Sequence, residues 1–279
     1  MRRRRILMSI GNHSLAIALA VVFVMPFVFV LLTSFMTRQQ ALTSRVWPHP
    51  WVWTNYQDIF SLIPMLRYGY NTVIYATLSA VGVMLSAIPV AYALSRMRWR
   101  GRNAVFILIL ATLMLPDQVT SVPLYIVFVR LHWIGSLKPL IVPNFFGDAF
   151  SIFLLRQFFM TIPEELSDAA RVDGAGEFRI MTRVIVPLAK PAIVAIGLFQ
   201  FLFAWNDFFY PLIYAGNNPK SITLAVGLSQ ILSNVQVNYS VSWGALMAGS
   251  VLFMLPVIII FFFAQKVFIE GVTLTGVKG

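Results

Sequence analysis

The sequence predicts an all-α fold that crosses a membrane about six times. Of the 279 residues, 59% are hydrophobic and only 11% are charged, whereas an average soluble domain has about 25% charged residues. The apolar residues occur in long runs, and about 20 apolar residues in a helix span the hydrocarbon core of a bilayer. The runs show no alternation of period two, which disfavours a membrane β-barrel. The chain is therefore expected to be a polytopic helical membrane protein.

Six apolar runs are long enough to be spans, and residues 1–279 are expected to form one transmembrane domain. In chain order the runs are 14–36, 69–94, 104–130, 139–160, 191–214 and 242–265. The third is interrupted by "LPDQ" at 115–118, and the fourth contains Asp148. The first run is longer than the apolar core of a secretory signal and lacks a small-x-small cleavage site, so it is expected to remain as the first span.

The positive charges predict the orientation. Fifteen Lys and Arg residues lie in the N-terminal segment, the 96–102 connection, the 156–190 segment and the C-terminal tail, and only six lie in the other connections. Because Lys and Arg are enriched in cytoplasmic loops, both termini are expected in the cytoplasm. The net charge of +11 comes from these clusters. The basic residues do not form a groove with interleaved aromatic residues, so nucleic acid is not an expected partner.

The passage between the fourth and fifth predicted spans, about residues 161–190, is unusually polar ("TIPEELSDAARVDGAGEFRIMTRVIVPLAK"). Leu166, Ala169, Ala170 and Asp173 follow helical spacing and fall on one face, which the two alanines leave shallow. Gly174 is placed to end this helix with a positive φ, because glycine adopts that conformation at little cost.

Two short helices are expected to meet at Gly174 on the cytoplasmic face. The spacing of Thr161 and Glu164 suits a capping box at the start of the first helix, and Pro187 is expected to stop the second. By spacing alone, the passage is either a solvated loop or a docking surface for another protein. The shallow alanine face favours docking, because a solvated loop does not require a face that another surface can approach closely.

The passage resembles the cytoplasmic signature loop of the membrane subunits of binding-protein-dependent ATP-binding cassette (ABC) importers. That pattern runs Glu-Ala-Ala, Asp-Gly-Ala and aliphatic-x-Pro, and it occurs here as Asp168-Ala169-Ala170, Asp173-Gly174-Ala175 and Ile185-Val186-Pro187. Position 168 departs from the pattern, since Asp replaces Glu and shortens the side chain by one methylene. The segments "NTVIYATLSA", "MLPDQVTSVPLY", "AWNDFFYPLIY" and "FIEGVTLTGVKG" resemble the carbohydrate-importing branch, and more narrowly the second permease subunit of maltose- and glycerol-3-phosphate-type systems.

The resemblance implies a permease subunit of an ATP-driven sugar importer in a bacterial inner membrane, which forms half of the translocation pathway. It also implies that the 161–190 passage is a coupling loop that docks on a separate ATPase subunit. The residues expected at this contact are Leu166, Asp168, Ala169, Ala170, Asp173, Gly174 and Pro187. The implied partners are a second homologous permease subunit, two ABC ATPase subunits and an extracytoplasmic sugar-binding protein, besides the membrane lipid. ATP and magnesium are expected on the ATPase subunits, and this chain is expected to bind no cofactor.

No catalytic or metal-binding pattern accompanies the loop, so the chain is not expected to be an enzyme. "GNNPKS" at 216–221 has Pro219 where a phosphate loop has its second glycine, and it lies on the predicted outer side. The three histidines lie far apart, there is no cysteine, and no Gly-x-Ser-x-Gly elbow occurs.

Two polar clusters within the predicted spans are candidates for the substrate pathway. Ionisable residues inside a span are costly and usually face an internal cavity, and amide, carboxylate and indole groups suit the hydroxyls and the apolar face of a sugar. The candidates are Asp117 and Gln118 in the third span, and Trp205, Asn206 and Asp207 in the fifth. The alternative is that these groups satisfy the backbone of a broken helix or bond a neighbouring helix.

Other functions stay open from the residues alone. An ABC permease for polyamines, amino acids or phosphate esters would share the same loop. An ion-driven secondary carrier needs membrane-embedded carboxylates that relay protons, and it commonly carries an inverted repeat. The spans hold few such carboxylates and show no detectable repeat, which disfavours the carrier. A membrane enzyme is disfavoured by the missing catalytic pattern.

Overall fold

A computed structural model describes residues 2–43, 45–216, 218–237 and 242–275, and these ranges contain helices and no strand. The side chains of residues 1–10, 117, 234–241, 264 and 266–279 lie outside the described part. The helices are α1 (Arg2–Thr33), α2 (Arg38–Ala41), α3 (Asn55–Leu62), α4 (Met65–Ser95), α5 (Arg102–Thr112), α6 (Asp117–Arg130), α7 (Lys138–Ile141), α8 (Ala149–Thr161), α9 (Glu164–Val172), α10 (Glu177–Ile180), α11 (Val186–Leu188), α12 (Lys190–Asn206), α13 (Phe209–Tyr214), α14 (Leu224–Val237) and α15 (Trp243–Thr275). A 3₁₀ turn at Val142–Phe146 follows α7, and a π turn at Met181–Ile185 separates α10 from α11. The predicted all-α class is confirmed.

Four segments of the described chain are long and apolar enough to cross a membrane, and a bent pair of helices makes a possible fifth. The four are Gly11–Thr33, Met65–Ser95, Lys138–Thr161 and Trp243–Phe263, and the pair is Glu177–Leu188 with Lys190–Asn206, bent by 80°. In that order, the four segments correspond to the first, second, fourth and sixth predicted spans, and the bent pair corresponds to the fifth.

The predicted third span, 104–130, is divided between α5 and α6, and neither helix is long enough alone. The division follows from Pro116, which has no amide hydrogen to continue the helix and stands in extended conformation directly before α6. The polytopic architecture is present in the structure, while the count of six spans stays a prediction.

The chain packs as two compact units, residues 1–65 with 227–256, and residues 66–226 with 257–279. In the first unit, Asn55 Nδ2 donates to the carbonyls of Ser34 and Met36, both at 2.9 Å. A Cβ on Gly244 would lie 2.3 Å from that same Nδ2, so only glycine fits there. The expectation of a single transmembrane domain stays a prediction.

The second unit holds the predicted coupling loop and both polar clusters. Its apolar core joins α4, α8 and the helices that follow α9, and its fully buried side chains include Val83, Leu155, Phe159, Ile180 and Ile185. Two elements that border the coupling loop, α4 and α8, therefore pack on a common core with the chain that leaves the loop.

The start of the coupling loop differs from the prediction. Helix α8 continues through Thr161, whose Oγ1 donates to the carbonyl of Phe158 at 2.7 Å. Pro163 is the N-cap residue of α9, and no side chain caps this helix. The predicted capping box of Thr161 and Glu164 is therefore wrong, because the helix of the fourth span extends to the position where the cap was expected.

The predicted helix stop at Pro187 is also wrong. Proline in a regular α-helix removes a hydrogen bond and clashes with the carbonyl four residues earlier. Here a π turn, closed by a bond from the amide of Val186 to the carbonyl of Met181, stands directly before Pro187. This wider turn replaces the regular geometry, so helical structure continues to Leu188 and the chain bends only at Ala189.

Candidate coupling site

Helix α9 lies on the surface of its unit with most of its side chains exposed. It faces its own unit through Ser167, which is 1% exposed, and through Ala170, which is half-buried against the core. Leu166 and Ala169 are exposed, and Val172 is 88% exposed. The helix therefore presents a shallow, partly apolar surface that none of the described residues of its unit covers.

The turn after α9 confirms the expectation for Gly174, which has a φ of +81°. The amide of Gly174 donates to the carbonyl of Arg171 at 3.0 Å, and the amide of Ala175 donates to the carbonyl of Ala170 at 2.9 Å. This pair of bonds is a Schellman motif, which satisfies the last carbonyls of a helix and needs a left-handed residue at its centre. The glycine thus sets the direction in which the chain leaves α9.

A chain of polar contacts ties α9 to α10 and α4. Arg171 donates from Nη1 to Asp168 Oδ1 at 2.7 Å and from Nε to Glu177 Oε1 at 2.9 Å. The second oxygen of Glu177 accepts a hydrogen bond from the hydroxyl of Tyr92, on α4, at 2.6 Å. The hydrogen bonds to Glu177 and Asp168 raise the pKa of the Arg171 guanidinium further above its ordinary value, so this group stays charged. Glu177 therefore connects α9 to α4 through side-chain hydrogen bonds.

The seven predicted coupling residues occupy two places. Leu166, Asp168, Ala169, Ala170, Asp173 and Gly174 come together on α9 and its C-terminal turn, whereas Pro187 is exposed further along, in α11. The Oδ2 atom of Asp168 makes no hydrogen bond with the residues that the structure describes. This oxygen is therefore free to accept a hydrogen bond from outside the chain.

Sequence reasoning missed Tyr92 and Glu177. They are separated by 85 residues, and neither stands in a local pattern that signals the other. Ile185 is fully buried, but Phe178 is 76% exposed, because the π turn between them adds a residue to the turn and shifts the register. An exposed phenylalanine adds apolar area beside the surface of α9.

The first polar cluster lies at the start of α6. Gln118 is exposed in the first turn, and its carbonyl accepts a hydrogen bond from Ser121 Oγ at 2.7 Å. Asp117 is the first residue of the helix, and its side chain lies outside the described part. Gln118 therefore offers an amide that is open to a ligand or to a neighbouring subunit.

The second cluster separates into open and buried residues. Asn206 is exposed, with Nδ2 donating to the carbonyl of Leu202 at 2.8 Å. Trp205 is buried and stacks on Phe201, with ring centroids 5.7 Å apart. Asp207 is also buried, and it accepts hydrogen bonds at its carboxylate from two tyrosines.

Those two hydrogen bonds link the Asp207 carboxylate to other parts of this chain. The hydroxyl of Tyr75 donates to Oδ2 at 2.7 Å, and the amide of Tyr210 donates to Oδ1 at 3.2 Å. The carboxylate thereby joins α4 to the first turn of α13. This agrees with the alternative interpretation, in which such groups satisfy the backbone of a broken helix or bond a neighbouring helix. The assignment of the five residues to a substrate pathway stays a prediction.

A cavity of about 190 Å³ lies beside this cluster and includes Tyr75 and Tyr210 in its wall. Its amide side chains are Asn144 and Gln200, joined by a hydrogen bond from Gln200 Nε2 to Asn144 Oδ1 at 3.1 Å. Sequence reasoning did not select either amide, because each stands alone in an apolar run. Among the described residues, no group of three or more His, Asp or Glu side chains is arranged to hold a metal ion.

Comparison with known proteins identifies the family. The family model described as "Binding-protein-dependent transport system inner membrane component" matches residues 82–273, which include α9, its turn and the contacts with Tyr92. The chain belongs to this family. It is therefore a multi-pass component of a bacterial inner membrane transport system, and the resemblance to the membrane subunits of binding-protein-dependent importers is confirmed.

Relatives of this inner membrane component are permease proteins. The arabinooligosaccharides transport system permease protein AraQ of Bacillus subtilis (strain 168) is 38% identical over 213 residues, which cover 76% of this chain and 74% of AraQ. The sn-glycerol-3-phosphate transport system permease protein UgpE of Brucella abortus (strain 2308) is 30% identical over 284 residues, which cover 99% of each chain.

A solved structure also resembles the family member described here. It is the crystal structure of a bacterial ABC transporter involved in the import of the acidic polysaccharide alginate. One of its chains is 25% identical, with a TM-score of 0.79, over 95% of this chain and 98% of that chain. The fold is therefore that of an ABC transporter membrane subunit.

Proposed function

We propose that this chain is the permease subunit of an ATP-driven sugar importer and forms half of its translocation pathway. The observation that carries the proposal is the exposed, shallow surface of α9, which stands at the position of the family's signature loop and ends in the turn at Gly174. The names of AraQ and of the alginate importer support a carbohydrate substrate rather than polyamines or amino acids. UgpE extends the expected range to a phosphorylated polyol.

The proposed complex contains a second homologous permease subunit, two ABC ATPase subunits and an extracytoplasmic sugar-binding protein. ATP and magnesium bind to the ATPase subunits, and this chain binds no cofactor and catalyses no reaction. Both termini and α9 face the cytoplasm, as the Lys and Arg distribution predicts. When the ATPase subunits close, they carry α9 with them, and Arg171, Glu177 and Tyr92 pass the movement to α4.

Reconstitution tests the proposal. The complex of this chain with its cognate subunits is reconstituted in proteoliposomes together with the sugar-binding protein. It is expected to accumulate a labelled arabinooligosaccharide or maltose only when ATP is present on the side of the membrane that the ATPase subunits face. The chain alone is expected to accumulate no sugar. Uptake by the chain alone, driven by a proton or sodium gradient, would contradict the proposal and favour an ion-driven carrier.

Glu177→Gln is expected to weaken coupling without dissociating the ATPase. The glutamine keeps an acceptor for Tyr92 but removes the charge that holds Arg171, and both side chains of that pair are more than a third exposed. We therefore expect a loss of about 1 kcal/mol, which corresponds to roughly a fivefold fall in ATP-driven uptake.

Glu165→Gln is the matched control for this change. Glu165 is exposed on the neighbouring helix α9, and it forms no ion pair among the described residues. The uptake rate of the control is expected to stay within twofold of wild type. Equal rates for Glu177→Gln and wild type would show that the ion pair between Arg171 and Glu177 does not transmit movement.

Asn206→Leu and Gln118→Leu are expected to reduce sugar uptake while the complex still assembles. Both side chains are exposed, so their replacement removes polar groups from an open surface and leaves the core intact. Val194→Leu, at an exposed apolar position of the same helix as Asn206, is the control. Uptake kinetics and gel filtration of the purified complex separate the two effects, and normal kinetics in both variants would remove these residues from the pathway.

A further inference from the structure

A cavity of about 1010 Å³ opens beside the start of α9, and its wall contains none of the residues predicted for the substrate pathway or for the coupling contact. Its wall is formed by the end of α4, the connection to α5, the first turn of α5, the end of α8 and the start of α9. The charged residues in the wall are Arg96, Arg98, Arg102, Glu164 and Glu165.

Arg96 gives this cavity a buried cation. The residue is only 7% exposed, and its Nη2 donates to the carbonyls of Phe159 and Ile162. Nε is buried without a hydrogen-bond partner, and Nη1 makes no hydrogen bond with the residues that the structure describes. No carboxylate in the described part forms an ion pair with Arg96. Burial lowers the pKa of the Arg96 guanidinium, and the nearby Glu164 offsets this only in part. A further anion in the cavity would therefore compensate the buried charge.

The first turn of α5 contributes a second anion-binding feature. The helix begins after Gly101 with no side-chain cap, and its first backbone bond runs from the amide of Val105 to the carbonyl of Gly101. The amides of residues 102–104 are therefore without helical partners, and these residues line the cavity. Free amides at the positive end of a helix dipole bind phosphate and other anions.

The charge of the wall suits a singly charged anion. Three arginines face two glutamates, which leaves one net positive charge besides the helix terminus. The nearest ion pair, from Arg98 Nη2 to Glu164 Oε2 at 3.5 Å, is highly exposed, and exposed pairs of this kind are weak. Arg98 is therefore free to contact a ligand in the cavity.

The surroundings of the cavity favour a lipid as the source of that anion. The cavity lies at the end of the long apolar helix α4, and Trp99 and Met160, both exposed, stand in its wall. Exposed Leu108 continues an apolar surface along α5, and tryptophan is enriched at the level of lipid headgroups.

We propose that this cavity binds the phosphate group of an anionic phospholipid and thereby links the position of α9 to the lipid composition of the membrane. The proposal rests on the cytoplasmic placement of α9 in the proposed function. Ile162 and Pro163, which connect α8 to α9, are part of the wall, so a bound headgroup braces the start of the coupling helix.

Native mass spectrometry of the purified full chain in a neutral detergent tests this site. The probes are dihexanoylphosphatidylglycerol, dihexanoylphosphatidylcholine and inorganic phosphate. Wild type is expected to retain phosphatidylglycerol at least tenfold better than phosphatidylcholine. In the double variant Arg98→Gln/Arg102→Gln, the ratio of retained phosphatidylglycerol to retained phosphatidylcholine is expected to fall at least fivefold, because two arginines are removed from the wall. Arg98 is exposed, whereas Arg102 is half-buried and its Nη1 donates to the carbonyl of Met97 at 3.2 Å. Equal thermal unfolding of variant and wild type therefore checks that the fold is kept.

Arg100→Gln is the matched control, since Arg100 is exposed in the same connection but does not line the cavity. The control is expected to stay within twofold of wild type. An equal loss in the control would show only general charge attraction and would overturn the site. Binding of inorganic phosphate without any preference for phosphatidylglycerol would overturn the lipid as the ligand. Because binding is measured on this chain alone, a negative result leaves the proposed sugar import intact, and a failure of sugar import leaves this test valid.

Discussion

Gly174→Val is expected to abolish sugar uptake while the chain still inserts into the membrane. Gly174 has a φ of +81°, and a side chain in this left-handed region costs about 1–2 kcal/mol, with a larger cost for a β-branched residue. Apart from its two chain neighbours, no described residue lies within 4 Å of a Cβ added to Gly174. The expected damage therefore comes from the backbone and from the docking partner. A changed turn redirects the chain after α9 and breaks the contact between Arg171 and Glu177.

Gly176→Val separates backbone strain from added bulk. Gly176 has an extended conformation with a φ of −72°, which valine adopts readily, and it too has open space around an added Cβ. We expect Gly176→Val to keep at least half of the wild-type uptake. The ATPase activity of reconstituted Gly174→Val is expected to be insensitive to the loaded binding protein. Wild-type uptake by Gly174→Val would mean that the turn has no role in coupling.

Ala169→Glu is expected to remove the ATPase subunit from the purified complex. Ala169 is exposed on α9 and glutamate is a good helix former, so the fold of this chain should be kept. In the proposed complex the longer, charged side chain enters the docked surface, where an unpaired buried charge is strongly unfavourable. We expect co-purification of the ATPase to fall at least tenfold, which corresponds to about 1.4 kcal/mol, with loss of uptake.

Ala169→Ser is the control for this change, because serine is nearly as small as alanine and carries no charge. Its complex is expected to keep the ATPase and most of the uptake. The measurement is the ratio of ATPase to permease after affinity purification through the permease. An unchanged ratio together with wild-type uptake in Ala169→Glu would show that α9 does not lie at the subunit contact.

The fold class and the turn at Gly174 could be predicted because each depends on a local property of the chain. The length of the apolar runs determines which segments can span a membrane, and the glycine at the end of α9 determines a turn that other residues rarely adopt. The capping box predicted at Thr161 and the helix stop predicted at Pro187 are wrong because the local signals at these residues are ambiguous. A threonine three residues before a glutamate can also end the preceding helix, and a proline can follow a π turn without stopping the helix.

The contacts between distant residues could not be predicted from a single sequence. Tyr92 and Glu177 meet only because α4 and the chain after α9 pack on one core. In the fifth predicted span, neighbouring polar residues differ in burial, since Asn206 is exposed and Asp207 is buried against Tyr75. Their adjacency in sequence carries no information about which of them faces inward, because helix α12 ends between them.

Cross-linking from Val172 tests the proposed docking of α9 on the ATPase most directly. The natural chain has no cysteine, so Val172→Cys, at a position that is 88% exposed, introduces a single reactive thiol. With a short thiol-to-amine reagent in the transporting complex, we predict a covalent product with the ATPase subunit whose yield changes on ATP binding. Asn218→Cys, exposed on the predicted outer side, should give no such product. Absence of the product from Val172→Cys in a complex that transports sugar would contradict the assignment of α9 as the coupling helix.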